Sequence, residues 1–76
     1  MQHLITFKAD EFPTADEAIQ HTYASGRGEA ITLGGRHYVV EKAEGHRLEA
    51  AGVPFAYLHL HDLPDGTTTV VTVPVN

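Results

Sequence analysis

His59 and His61 are the side chains whose type and spacing come nearest to chemistry in this sequence. Residues i and i+2 of an extended strand point the same way, so two imidazoles placed like this can chelate one divalent ion such as zinc. A site needs a third ligand, which would come from His37, His46, His3 or a carboxylate such as Asp65. The plainer reading keeps the same residues without a cofactor. Phe55, Tyr57, His59 and His61 alternate along one strand and line one face of it, a partly exposed aromatic and histidine face that a partner chain would cover. We take this as the leading expectation, a partner-binding surface, with metal binding as the alternative.

Other catalytic chemistry finds little support. The absence of cysteine excludes thiol nucleophiles, thiolate zinc sites and disulfides. Ser25 is the only serine, and it falls at the end of an expected helix instead of on a sharp strand-to-helix elbow. Gly26-Arg27-Gly28 could offer backbone N–H groups and a guanidinium to an anion. A helix C-terminus carries the wrong dipole sign for that task, so a cap and turn explains these residues better. Asp10, Glu11, Asp16 and Glu17 cluster where the first helix should start and complement its macrodipole. With no catalytic motif in view, the chain is expected not to be an enzyme.

The charge balance bears on partners. The formal charge is −5, which opposes a diffuse attraction to nucleic acid or to an anionic membrane. Yet Arg27, Arg36, Lys42 and Arg47, four of the five basic residues, fall on or beside the central hairpin, either as a phosphate-contacting surface or as a solvated rim. Protonating all six histidines would turn −5 into +1, so charge crosses zero in mildly acid solution, where solubility should dip and association could respond to pH.

The elements that must position these residues follow from pattern. At 76 residues, 42% hydrophobic and 20% charged, the chain is expected to form one ordinary α+β domain spanning 1–76. A chain of this size buries only about 60% of its unfolded surface, so self-association would help it. No apolar run approaches a membrane span and no secretory signal is visible, which makes a cytoplasmic location the expectation.

The anchor is the hairpin over 29–42. Two runs rich in β-branched and aromatic residues flank Gly34-Gly35, a pair suited to a two-residue type I′ turn. That turn sets Leu33 opposite Arg36, Ile31 opposite Tyr38 and Glu29 opposite Val40 on one face, with Thr32/His37 and Ala30/Val39 on the other. Before it, 3–7 reads as a short strand and 8–11 as a polar turn. Thr14-Ala-Asp-Glu17 matches a capping box, opening a helix over Ala15–Ser25 with Ala15, Ala18, Ile19, Thr22 and Tyr23 as its buried stripe. A short helix is expected over 43–51, weakened by Gly45 and stopped by Gly52 and Pro54.

Strands over Phe55–Asp62 and 67–75 form a second hairpin around Leu63-Pro64-Asp65-Gly66. A type I turn with a glycine bulge would pair Leu60 with Val70, whereas a four-residue loop would pair Leu60 with Thr69 and flip the faces of one strand. Pro74 marks an edge or a strand end. The order β-α-β-β-α-β-β implies a small, mainly antiparallel sheet with both helices on one face.

Residues 25–48, a helix end in Ser25-Gly26, a strand with Ile31-Thr32, a Gly35-Arg36 turn, Tyr38-Val39-Val40 and a short helix with Leu48, resemble the N-terminal region of Phd/YefM-type antitoxins. The resemblance implies a dimer whose N-terminal part binds operator DNA and whose C-terminal part neutralises a toxin. It makes Arg27 and Arg36 candidate phosphate contacts. A small interaction module, working as a homodimer or as a subunit of a complex and antitoxin-like in its sharpest form, is the resulting functional expectation. Its partner is another protein or itself, with nucleic acid as a further candidate and no membrane.

Overall fold

The structure is a computed structural model that describes residues 7–76. Its elements run β1 (Asp10–Phe12), α1 (Ala15–Ser25), β2 (Glu29–Leu33), β3 (Arg36–Val40), α2 (Lys42–Ala50), β4 (Phe55–Asp62) and β5 (Thr68–Val75). The strands form one five-stranded sheet in the order β1-β3-β2-β4-β5, and every neighbouring pair is antiparallel. The fold is a small α+β domain. Among the described residues, no helix is long and apolar enough to cross a membrane.

The central hairpin forms as its turn dictates. Gly34 and Gly35 have φ of 59° and 79°, the positive values a type I′ turn needs at both positions. The register is Leu33↔Arg36, Ile31↔Tyr38 and Glu29↔Val40, as the sequence implies. α1 starts at Thr14, whose hydroxyl accepts the Glu17 N–H at 3.2 Å, and ends where the Gly26 N–H meets the Thr22 carbonyl. α2 begins one residue earlier than expected. It closes with the paired bonds of a Schellman motif, Val53 N–H to Leu48 C=O and Gly52 N–H to Glu49 C=O, while Val53 packs in the same apolar cluster as Leu48.

Three expectations are corrected. The first concerns the helices, which lie on opposite faces of the sheet. Ala18 and Ile19 of α1 pack on Ala30, Val39 and Leu58, whereas Leu48 of α2 packs on Ile31, Val40 and Phe55. Ala30 and Ile31 are neighbours in β2 and so point to opposite sides. Both are buried, and a hairpin apolar on both faces needs a cover on each.

The second concerns the polar segment 8–11. Part of it belongs to β1, which pairs with β3 through Asp10↔Val39, Glu11↔Tyr38 and Phe12↔His37. Backbone pairing on an open strand edge asks little of the side chains. Phe12 alone turns inward, with its ring 5.0 Å from that of His21. The strand expected over 3–7 lies outside the described residues except for Phe7, which is not in a strand and meets the Tyr38 ring edge-on at 5.3 Å.

The third is Tyr23, assigned to the buried stripe of α1 but 65% exposed; the cluster beneath α1 is met by Ala15, Ala18 and Ile19.

Candidate functional site

The site is built on the second hairpin. Gly66 N–H donates to the Leu63 carbonyl at 3.0 Å and Leu63 N–H to the Thr67 carbonyl at 2.8 Å, the pattern of a type I turn closed by a glycine bulge. Asp65 locks the turn by accepting from the Thr67 N–H (3.0 Å) and hydroxyl (2.6 Å), bonds that hold its carboxyl below the usual carboxylate range. Of the two registers open to the sequence, this one pairs Leu60 with Val70. It also sets Phe55 opposite Val75, Tyr57 opposite Val73, His59 opposite Val71 and His61 opposite Thr69.

Those four pairs face the α2 side of the sheet, because Tyr57 stands beside Ile31. They grade from core to solvent. Phe55 is buried under α2 and serves as an anchor instead of an outward contact. Its ring meets that of Tyr57 edge-on at 5.1 Å, and the His59 ring follows at 6.4 Å from Tyr57. Tyr57 is half-buried, while His59 and His61 are exposed. Burial, with the Glu49 and Glu29 carboxylates adding to it, pushes the Tyr57 hydroxyl above the ordinary range.

α2 approaches this strand closely at Gly45. A Cβ there would stand 2.9 Å from the Tyr57 hydroxyl oxygen.

The strand opposite adds two apolar side chains to this face. Val71 is 38% and Val73 48% exposed, directly across from His59 and Tyr57. The signal was the register: with the bulge counted, the two valines fall on the histidine face.

Among the described residues, the metal alternative gains no third ligand. His37 faces the α1 side, since it stands opposite Thr32 and Thr32 opposite Ala56, so it is on the other face from His59. Its Nδ1 is buried without a hydrogen-bond partner. Asp65 is engaged by Thr67, and His3 lies outside the described residues. Among the described residues, no three His, Cys, Asp or Glu side chains converge.

Nor do Arg27 and Arg36 form one basic surface. They sit at opposite ends of β2, both exposed, Arg27 3.7 Å from Glu41 and Arg36 3.5 Å from Glu11. A cleft of about 610 Å³ lies between residues 7–10 and the C-terminal end of α1, lined by Lys8, Asp10, His21, Ser25, Arg27 and Glu41 among others. Its two cations are matched by two carboxylates, so it presents no charge excess to a ligand.

No family model matches this chain, and neither the curated proteins nor the solved structures include a match to it.

Proposed function

We propose that this chain is a non-enzymatic protein-interaction module whose working surface is the α2-side face of the β4–β5 hairpin. One observation carries the reading. Among the described residues, four large hydrophobic side chains are exposed, and three of them, Leu63, Val71 and Val73, belong to this hairpin. Val71 and Val73 share their face with Tyr57, His59 and His61, an apolar strip with donors and acceptors beside it. A surface of that composition gains by being covered.

The geometry fits the purpose in a second respect. Among the described residues, β4 pairs with β2 through Ile31↔Tyr57 and Thr32↔Ala56, and the far half of the hairpin has β5 as its one strand neighbour. It carries side chains that the fold does not need for its own core.

The test compares the native mass of the chain, recovered under mild conditions from cells that make it, with that of a Val71→Lys, Val73→Lys double variant. The expected result is a wild-type mass above the 8.3 kDa of one chain that the double variant loses. A Tyr23→Lys variant, altered on the exposed side of α1, should keep it. Equal masses for wild type and double variant would overturn the proposal.

A further inference from the structure

Among the described residues, β5 is the long edge of the sheet with no strand beyond it, since β1 at the opposite edge spans three residues. In an antiparallel ladder, residues bonded to the neighbouring strand alternate with residues whose N–H and C=O point away from it. The Leu63–Thr67 bond fixes the phase. His61↔Thr69, His59↔Val71 and Tyr57↔Val73 are then bonded pairs, and Thr68, Val70, Thr72 and Pro74 turn their backbone groups outward. Pro74 thus stands where its missing N–H takes nothing from the β4–β5 ladder.

Open edges are ordinarily blunted by charges, prolines or bulges. From Thr68 to Thr72, β5 has none of these, and no residue of 68–75 is charged. In a chain of net charge −5, this neutral edge is where two copies can approach without setting carboxylate against carboxylate.

We infer that a second copy of this chain occupies the edge, β5 pairing antiparallel with β5 about a two-fold axis at Val70, so that two five-stranded sheets become one. This rests on the β4–β5 hairpin being an interaction surface. The register follows from the outward groups. With the axis at Val70, Thr68 opposes the second copy's Thr72 and Val70 opposes itself, so the three outward N–H groups of each copy meet three outward carbonyls of the other. Both Pro74 residues fall beyond the bonded stretch. Moving the axis to Thr72 would set Pro74 against Val70 and leave a carbonyl without its donor. On the α2 side the chosen register continues the row His59, Val71 with the second copy's Thr69 and His61, which covers the flank of exposed Val71. Pairing of this kind uses up the long edge of each copy, so assembly stops at two.

The experiment is light scattering on the purified chain over a wide concentration range, with amide hydrogen exchange on the same samples. The expected mass rises to twice 8.3 kDa, and the amides of Thr68, Val70 and Thr72 slow together as it does. Thr72→Pro removes an outward donor that the β4–β5 ladder does not use; it should remain at the mass of one chain with an unchanged circular dichroism spectrum. If Thr72→Pro fails to fold, the wild-type exchange rates decide alone. A chain that stays monomeric with those three amides exchanging freely would overturn the inference, as would a dimer in which they stay fast. Should such a monomer still recover its mass in cells through Val71 and Val73, a different polypeptide covers the hairpin, and the interaction reading stands without this partner.

Discussion

Gly45 and Tyr57 show how one contact can invert the reading of a residue. In sequence, Gly45 weakens α2 by about 1 kcal/mol relative to alanine. In the structure it is the clearance that admits the Tyr57 hydroxyl, 2.9 Å from where a Cβ would sit. Gly45→Ala should therefore be more favourable in a Tyr57→Phe background than in the wild type, by roughly 0.5–1 kcal/mol in a double-mutant cycle measured by denaturant unfolding. Additive effects would contradict the contact. The helix period was legible in the sequence, but this contact was not, because it depends on which face α2 covers.

Glu44 makes a prediction of another kind at the same scale. Its carboxylate accepts from the Arg47 guanidinium at 2.9 and 3.2 Å and from the Lys8 backbone N–H at 2.8 Å. The Arg47 bond first, then the Lys8 N–H, holds its pKa at about 2 against an ordinary 4.5. A group whose folded pKa is depressed contributes stability above its unfolded pKa and loses it as pH falls toward the folded one. Wild-type stability should accordingly fall more steeply than that of Glu44→Gln between about pH 4.5 and 2, followed as unfolding midpoints across a pH series. Parallel curves would contradict it.

At the scale of elements, the two hairpins differ in how much their sequences specify. Gly34-Gly35 leaves one turn and one register, and the observed pairs follow from it. Leu63-Pro64-Asp65-Gly66 permits two registers, and what selects between them is the bulge together with the Asp65–Thr67 clasp, a side-chain bond that pattern alone does not rank. β1 was hidden because its polar residues contribute backbone more than side chain to the sheet.

Gly28 joins α1 to β2 under a tighter constraint than the turn glycines. Its φ is +86°, and a Cβ would lie 2.9 Å from both the Val40 carbonyl oxygen and a Val39 methyl. Gly35, at φ +79°, has open space around it. Gly28→Ala should cost about 1–3 kcal/mol and exceed the cost of Gly35→Ala, as measured by thermal or denaturant unfolding. The reverse order would show that the approach of the α1–β2 junction to β3 is looser than described.

At the scale of the whole molecule, the sheet divides its labour. The central strands are apolar on both faces and hold two clusters, one beneath each helix. The second hairpin runs from buried Phe55 out to exposed His59 and His61. The α+β class and the order of the elements after β1 were legible from periodicity and turn residues. The placement of the helices was not, since alternation tells which residues share a face and says nothing of which helix covers it.

This division predicts unequal responses to substitution. Ile31→Ala, at a site with no exposure, should destabilise by about 2–5 kcal/mol. The Val71→Lys, Val73→Lys pair should change the stability of the isolated chain by no more than about 0.5 kcal/mol per site, because these side chains are spare to the core. A large loss from the double variant in denaturant unfolding, at a concentration where the wild type is monomeric, would mean that the valines serve folding instead of association.

The most direct measurement is site-specific photo-cross-linking, with a light-activated residue placed at position 71 and, separately, at Glu17 on the exposed start of α1. A discrete adduct is expected from position 71, formed with this chain or with another polypeptide, and none from position 17. No adduct at 71, or the same adduct from both positions, would contradict the claim that the β4–β5 face is the surface through which this protein works.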